Sequence, residues 1–166
     1  MIDTKLILQD GALLSLAGSI FLLVLLWLNP RIFIGHFPKE ILEVIPPRSG
    51  KERRMSLLLG LLIGVPGISA LLWRVATLGS HSMRELFAYV FGVLFFFNVV
   101  DLIVLDWLIV CWLKPRWTIV PGTEHVVVPN PYLHHFKEFL LGTAGLFVVS
   151  LAIAALLSAQ LFLPER

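Results

Sequence analysis

The sequence predicts an all-α membrane protein. Its expected form is a four-transmembrane-helix bundle with a short amphipathic interfacial helix and a small cytoplasmic β-hairpin-like loop. Three observations predict this. Four stretches, about 11–28, 55–73, 86–113 and 139–163, are apolar over the length of about 20 residues that a bilayer crossing takes. The chain is 58% hydrophobic with a mean hydropathy of +0.90, above the roughly 45–50% apolar content of soluble domains. The basic residues alternate between rich and poor loops. Residues 1–166 therefore read as a single integral membrane domain, with nothing left over for a soluble one.

Span 1 is Leu-rich and ends at Trp27, as interfacial aromatics do. Its apolar run exceeds the roughly 7–15 residues of a signal-peptide core, and Leu-Asn-Pro-Arg follows in place of small residues, so it reads as a permanent span. Asn29-Pro30-Arg31 should break the helix, because proline lacks an N–H and restricts the residue before it. From Ile32 to Ile45, Ile32, Phe33, Phe37, Ile41, Leu42 and Ile45 alternate in helical rhythm with Lys39, Glu40 and Glu43. That pattern predicts an amphipathic helix on the membrane surface, ended by Pro46-Pro47. Arg48, Lys51, Arg53 and Arg54 then form a basic, lipid-facing patch suited to anionic lipid, at about 1 kcal/mol per residue near the surface. In span 2, Gly60 and Gly64 have the GxxxG spacing that lets another helix approach closely, and Gly64-Val-Pro66-Gly67 should kink the helix.

Span 3 carries the main anomaly. Leu86–Leu113 contains no Lys or Arg, yet holds Asn98, Asp101 and Asp106. Each acid costs about 2.5–3.5 kcal/mol at the centre of a span. On an α-helical wheel, Asn98 lies between Asp101, about 60° one way, and Asp106, about 80° the other, so the three share one broad side. Measured from Leu113, Asp101 stands about 18 Å up the helix and Asp106 about 10 Å. Asp106 is thus within reach of the interface, where Arg31, His36, Glu124 and His135 are its expected partners. Between spans 3 and 4, two β-branched runs flank Pro121-Gly122 and predict a hairpin. Span 4, with Gly142 and Gly145, suits close packing.

Charge and motifs exclude several classes. A net charge of +2 is too small for nucleic acid. Cys111 is the only cysteine, which rules out an intramolecular disulfide and a cysteine-based zinc site. His125, His134, His135, Glu124 and Asp106 lack the H-x-x-x-H or H-E-x-x-H spacing of a metal site, and no metal or other cofactor is expected. P-loop, G-x-G-x-x-G and G-x-S-x-G motifs are missing, so no catalytic residue is assigned.

The set Asn29-Pro30-Arg31, Phe97-Asn98-Val-Val-Asp101, Leu105-Asp106-Trp107-Leu108, Pro121-Gly122-Thr123-Glu124 and His135-Phe136-Lys137 resembles a family of small multi-pass bacterial membrane proteins. The resemblance implies a bacterial integral membrane protein. It brings no activity or ligand with it, and points to Asp101, Asp106 and Glu124 as the residues of interest.

The expected role is a non-enzymatic membrane component with a polar intramembrane site, in contact with lipids and with a second copy or another membrane protein. Two rivals stand beside it. One is a proton- or cation-coupled transporter or channel subunit. The other is a membrane-embedded enzyme acting on lipid, with Asp106, Glu124 and His135 converging as acid/base groups. Nine basic residues fall in the loops after spans 1 and 3 and four on the other face. The positive-inside rule then puts those loops in the cytoplasm of a bacterial inner membrane and both termini outside. Reporter fusions at residues 50 and 125 are accordingly expected to read cytoplasmic and a fusion after Arg166 external. A cytoplasmic C-terminal reporter reverses the orientation.

Overall fold

Four helices long and apolar enough to cross a membrane make up most of the structure, a computed structural model that describes residues 2–78 and 82–160. Residues 161–163 of the expected fourth span lie outside the described residues. Helix α1 is Thr4–Leu28, capped by the Asp3 carboxylate, which accepts from the Lys5 N–H at 2.9 Å. It stops where Pro30 requires: Asn29 turns extended, and its side chain accepts from the Arg31 N–H at 3.0 Å, starting a 3-10 segment over Pro30–His36.

The expected interfacial helix over 32–45 is not continuous. Pro38 divides it into the 3-10 segment and a single turn, α2, at Lys39–Leu42. Ile34 and Ile45, on either side of that break, nevertheless bury together against Val120, and the segment is anchored by them.

Helix α3, Gly50–Thr77, begins with a capping box in which Ser49 and Glu52 exchange side-chain and backbone hydrogen bonds. It continues through Pro66 without ending. Helix α4, Met83–Val100, opens with the same device on Ser82 and Glu85. It runs straight into a π-helical segment, Asp101–Leu113, in which backbone bonds reach five residues back; the Lys114 N–H still meets the Ile109 carbonyl at 2.9 Å. Lys114 then takes a left-handed backbone, φ 44°, and Pro115 prevents continuation. Helix α5 is Pro131–Gln160.

The expected β-hairpin does not form; among the described residues there is no strand. The segment after Pro115 spends its hydrogen bonds locally. A 3-10 turn covers Arg116–Thr118. The Thr118 and Thr123 hydroxyls donate to the Pro115 and Val120 carbonyls, and the Thr123 N–H closes a turn onto Val120 at 3.0 Å. Gly122, at φ +90°, takes the position of that turn that needs a positive φ. Val120 and Thr118 are buried against the fold, so the β-branched residues serve as anchors and have no partner strand.

The third long helix is the hub. α4 packs on α1 along one side and on α5 along the other. Leu86, Tyr89, Val90 and Val93 bury against Leu71 and Val75 of α3 and Ala154 of α5. A second tie crosses the same end: the Asp10 carboxylate accepts from Tyr89 Oη at 2.5 Å and from Arg74 Nε at 3.0 Å, joining three helices through a tyrosine with 0% exposure. At its other end α3 is held by Arg31, whose Nε donates to Glu52 at 2.6 Å, and by the Ser56 hydroxyl on the Ile32 carbonyl at 3.2 Å.

Between those two anchors α3 touches little. A Cβ added at Gly60 or Gly64 meets nothing within 4 Å. The expected small-residue crossing lies elsewhere, on α1 and α4. A Cβ on Gly18 would fall 2.7 Å from a Phe97 ring carbon, and one on Gly92 2.7 Å from Ile7. Their lack of a side chain sets the approach of these two helices. Gly18→Leu should therefore overpack the α1–α4 contact and cost about 1–3 kcal/mol, while Gly64→Leu stays within about 0.5 kcal/mol. Thermal unfolding of both variants in one detergent checks the contrast, and equal losses contradict it.

Candidate functional site

The i→i+5 register determines what the polar side of the third span looks like. In an α-helix Asp101 and Asp106 would diverge by about 140°. In the π segment the wider turn brings residues five apart much nearer to one side, and Asp101 and Asp106 both face the same cavity. π geometry is rare and is met mostly as single turns, often at functional sites; here it spans 13 residues.

Those two carboxylates lie at the floor of a cavity of about 450 Å³. The volume falls within the roughly 300–1,000 Å³ of small-molecule sites. Leu22, Leu23 and Leu26 of α1 form one wall, and Phe139, Leu141 and Gly142 of α5 the other. Phe33, His36 and Phe37 of the 3-10 segment, with Thr118, close it at the loop end. Asn98, Asp101, Asp106, His135 and Glu138 supply its remaining polar surface.

Each polar group has a definable state of pairing. The His135 ring meets Asp106 through Nδ1 at 3.1 Å, with both side chains largely buried. This contact joins the π segment to α5. His36 Nδ1 lies 3.3 Å from Glu138, and His134 Nε2 donates to the His36 carbonyl at 2.8 Å, which joins the 3-10 segment to α5. The Asn98 amide donates to Thr143 Oγ1 at 2.9 Å and to the Phe139 carbonyl at 3.3 Å. It packs beside Gly142, where an added Cβ would stand at ordinary contact distance, 3.5 Å, from Asn98 Oδ1. Asp101 differs from all of these. Among the described residues its carboxylate forms neither a hydrogen bond nor an ion pair; its electrostatic neighbours are Asp106 and His135.

Other residues singled out from the sequence sit away from the cavity. Arg31 is committed to Glu52 and to the Pro46 carbonyl at 3.1 Å, and does not reach Asp106. Glu124 accepts from the Gly122 N–H at 2.9 Å within its own turn. The backbone N–H groups of Glu124 itself and of Gly122 hold its carboxyl below the usual carboxylate range. Glu124 does not line the cavity, so Asp106, Glu124 and His135 do not surround one pocket. Among the described residues no three His, Cys, Asp or Glu side chains gather into a metal-holding group. In the basic patch, Lys51, Arg53 and Arg54 are exposed, whereas Arg48 turns inward and donates to the Ile32 carbonyl at 3.1 Å.

Two features escaped the sequence reading. Glu138 follows His135 by three residues, the spacing that puts both on one side of α5, and that signal was available. The Asp10–Arg74–Tyr89 tie gave only the faint sign of an acid seven residues inside an apolar helix. No family model matches the chain, nor does any curated protein or solved structure.

The different pairing of the two aspartates has a measurable result. Asp106→Asn removes a charge-assisted hydrogen bond and should cost about 1.5–3 kcal/mol. Asp101→Asn removes no partner and should leave the melting temperature nearly unchanged. Melting curves of the two variants in the same detergent decide it; a larger loss for Asp101→Asn would reverse the roles.

Proposed function

We propose that this chain is a non-enzymatic multi-pass membrane component that holds a small ligand in the polar cavity between α1 and α5. The observation that carries this reading is Asp101: an acidic group without a partner among the described residues, facing a cavity whose walls are mostly apolar. Ionisable groups inside a membrane are costly and mark functional sites by default. A packing clip would have both of its ends occupied, as Asp106 and His135 do. The bacterial inner membrane is the setting proposed, with the basic loops on the cytoplasmic side and both termini outside. In that orientation the cavity opens in the cytoplasmic half of the bilayer, and membrane lipids are its immediate surroundings. Association with a second copy or another membrane protein remains part of this reading, through the bare middle of α3.

A second reading, a subunit of a proton- or cation-coupled transporter, is favoured by one observation. Two histidine–carboxylate contacts and a free carboxylate share the same cavity. Groups of these kinds form proton relays in membrane proteins.

The binding reading is tested with a neutral amphiphile. In native mass spectrometry of the purified protein, 1-dodecanol should form a saturable one-to-one adduct. Leu23→Trp, which fills the apolar wall, should weaken it at least tenfold. An adduct that does not saturate, or that Leu23→Trp leaves unchanged, defeats the proposal.

A further inference from the structure

We infer that the ligand of this cavity is a cationic amphiphile, with one protonated amine as its head and a single apolar tail. The inference rests on the binding reading above and specifies its chemistry.

Charge comes first. Among the described residues no Lys or Arg lines the cavity. Three carboxylates face two imidazoles, and each imidazole is already engaged, His135 by Asp106 and His36 by Glu138. With all three carboxylates ionised and both rings protonated, the groups sum to one negative charge, and a cationic head is what stabilises Asp101 in its ionised form. A phosphate or carboxylate head would enter a space where, among the described residues, every imidazole is already paired with a carboxylate, at a depth where charges are weakly screened.

Hydrogen-bond polarity comes second. Both amide hydrogens of Asn98 are accounted for by Thr143 and Phe139, which leaves Oδ1 as an acceptor. The Asp101 carboxylate, when ionised, only accepts. The deep end of the cavity thus offers acceptors from two side chains one turn apart. A head that brings several N–H donors and a positive charge satisfies both. An alcohol brings one donor and no charge.

Shape comes third. A bare inorganic cation such as calcium takes 6–8 oxygen ligands, which walls made largely of leucine and phenylalanine do not supply. Those walls suit a hydrocarbon tail. Leu22, Leu23 and Leu26 run along α1 from the polar end, and Leu141 faces them from α5 with 71% exposure. The two walls belong to helices that pack on α4 more than on each other, so the cleft between them provides lateral entry from the membrane.

The experiment compares three twelve-carbon probes that differ only in their heads: dodecylamine, 1-dodecanol and dodecanoate. Each is titrated into the full-length protein in a neutral detergent, and the one-to-one adduct is followed by native mass spectrometry. Dodecylamine is expected to bind at least tenfold more tightly than dodecanol, and dodecanoate most weakly. Asp101→Asn should bring the amine down to the level of the alcohol, and Asp101→Glu should restore the preference. If wild type binds amine and alcohol equally, or if Asp101→Asn keeps the preference, the amine assignment is overturned. Saturable alcohol binding that Leu23→Trp abolishes would still uphold the cavity as a ligand site. If no probe saturates, both fall. The wild-type comparison of heads needs no variant, so a poorly folding substitution does not remove the test.

Discussion

From Asp101 onward the third long helix bonds five residues back, and the polar chemistry of the molecule depends on that register. It turns Asp101 and Asp106 toward the same cleft. It brings Asp106 to His135, and it leaves Asp101, one turn deeper, without a hydrogen bond or ion pair among the described residues. With an α-helical register throughout, the second acid would diverge from the first by about 140°, and the two carboxylates would sit at opposite margins of one broad side. The segment continues the backbone hydrogen-bonding of α4, as hydrocarbon demands, while widening the helix beneath the cavity.

The rest of the structure supports that segment. α4 sits between α1 and α5, and the glycine contacts at Gly18 and Gly92 set the distance between α1 and α4. Asn98 fixes α4 to α5 just above the first acid. The 3-10 segment closes the loop end because Pro30 and Pro38 punctuate it, and because Ile34, Ile45 and Val120 bury together beneath it. α3 is held at its ends, by an ion pair at each and by the burial of Leu71 and Val75 against α4. Its ties lie where an ion pair can be partly hydrated, and its apolar middle is free for lipid or a protein neighbour.

The long elements were legible because hydropathy alone marks a membrane helix. Shorter features depended on tertiary context. Two β-branched runs beside Pro-Gly form a hairpin only if they pair with each other, and here Val120 found a better burial against Ile34 and Ile45. GxxxG spacing marks a face that another helix can approach, without saying whether one does, so Gly60 and Gly64 misdirected the packing while isolated Gly18 and Gly92 did that work. At the site, residue types were readable: Asn98, Asp101, Asp106 and His135 all line the cavity. Pairings were not, because they depend on which segments meet. Arg31 had Glu52 nearer to hand than Asp106. Glu124 was satisfied by its own turn. No sequence rule anticipates a thirteen-residue change in helical register; the wheel drawn at 100° per residue nevertheless put Asn98, Asp101 and Asp106 on one broad side, and all three line the cavity.

The contact between Asp106 and His135 also has a meaning in time. Ribosomes deliver the chain from its N-terminus at about 5–20 residues per second. The 29 residues separating the acid from its imidazole therefore take roughly 1.5–6 s to appear. Over that interval the third span carries both aspartates without the fourth helix beside them. Its residence in the bilayer stays provisional until α5 arrives, and the insertion machinery must either shelter the segment or accept it with neutralised acids. Biogenesis of this protein is thus coupled across two spans: the fourth secures the third in the lipid.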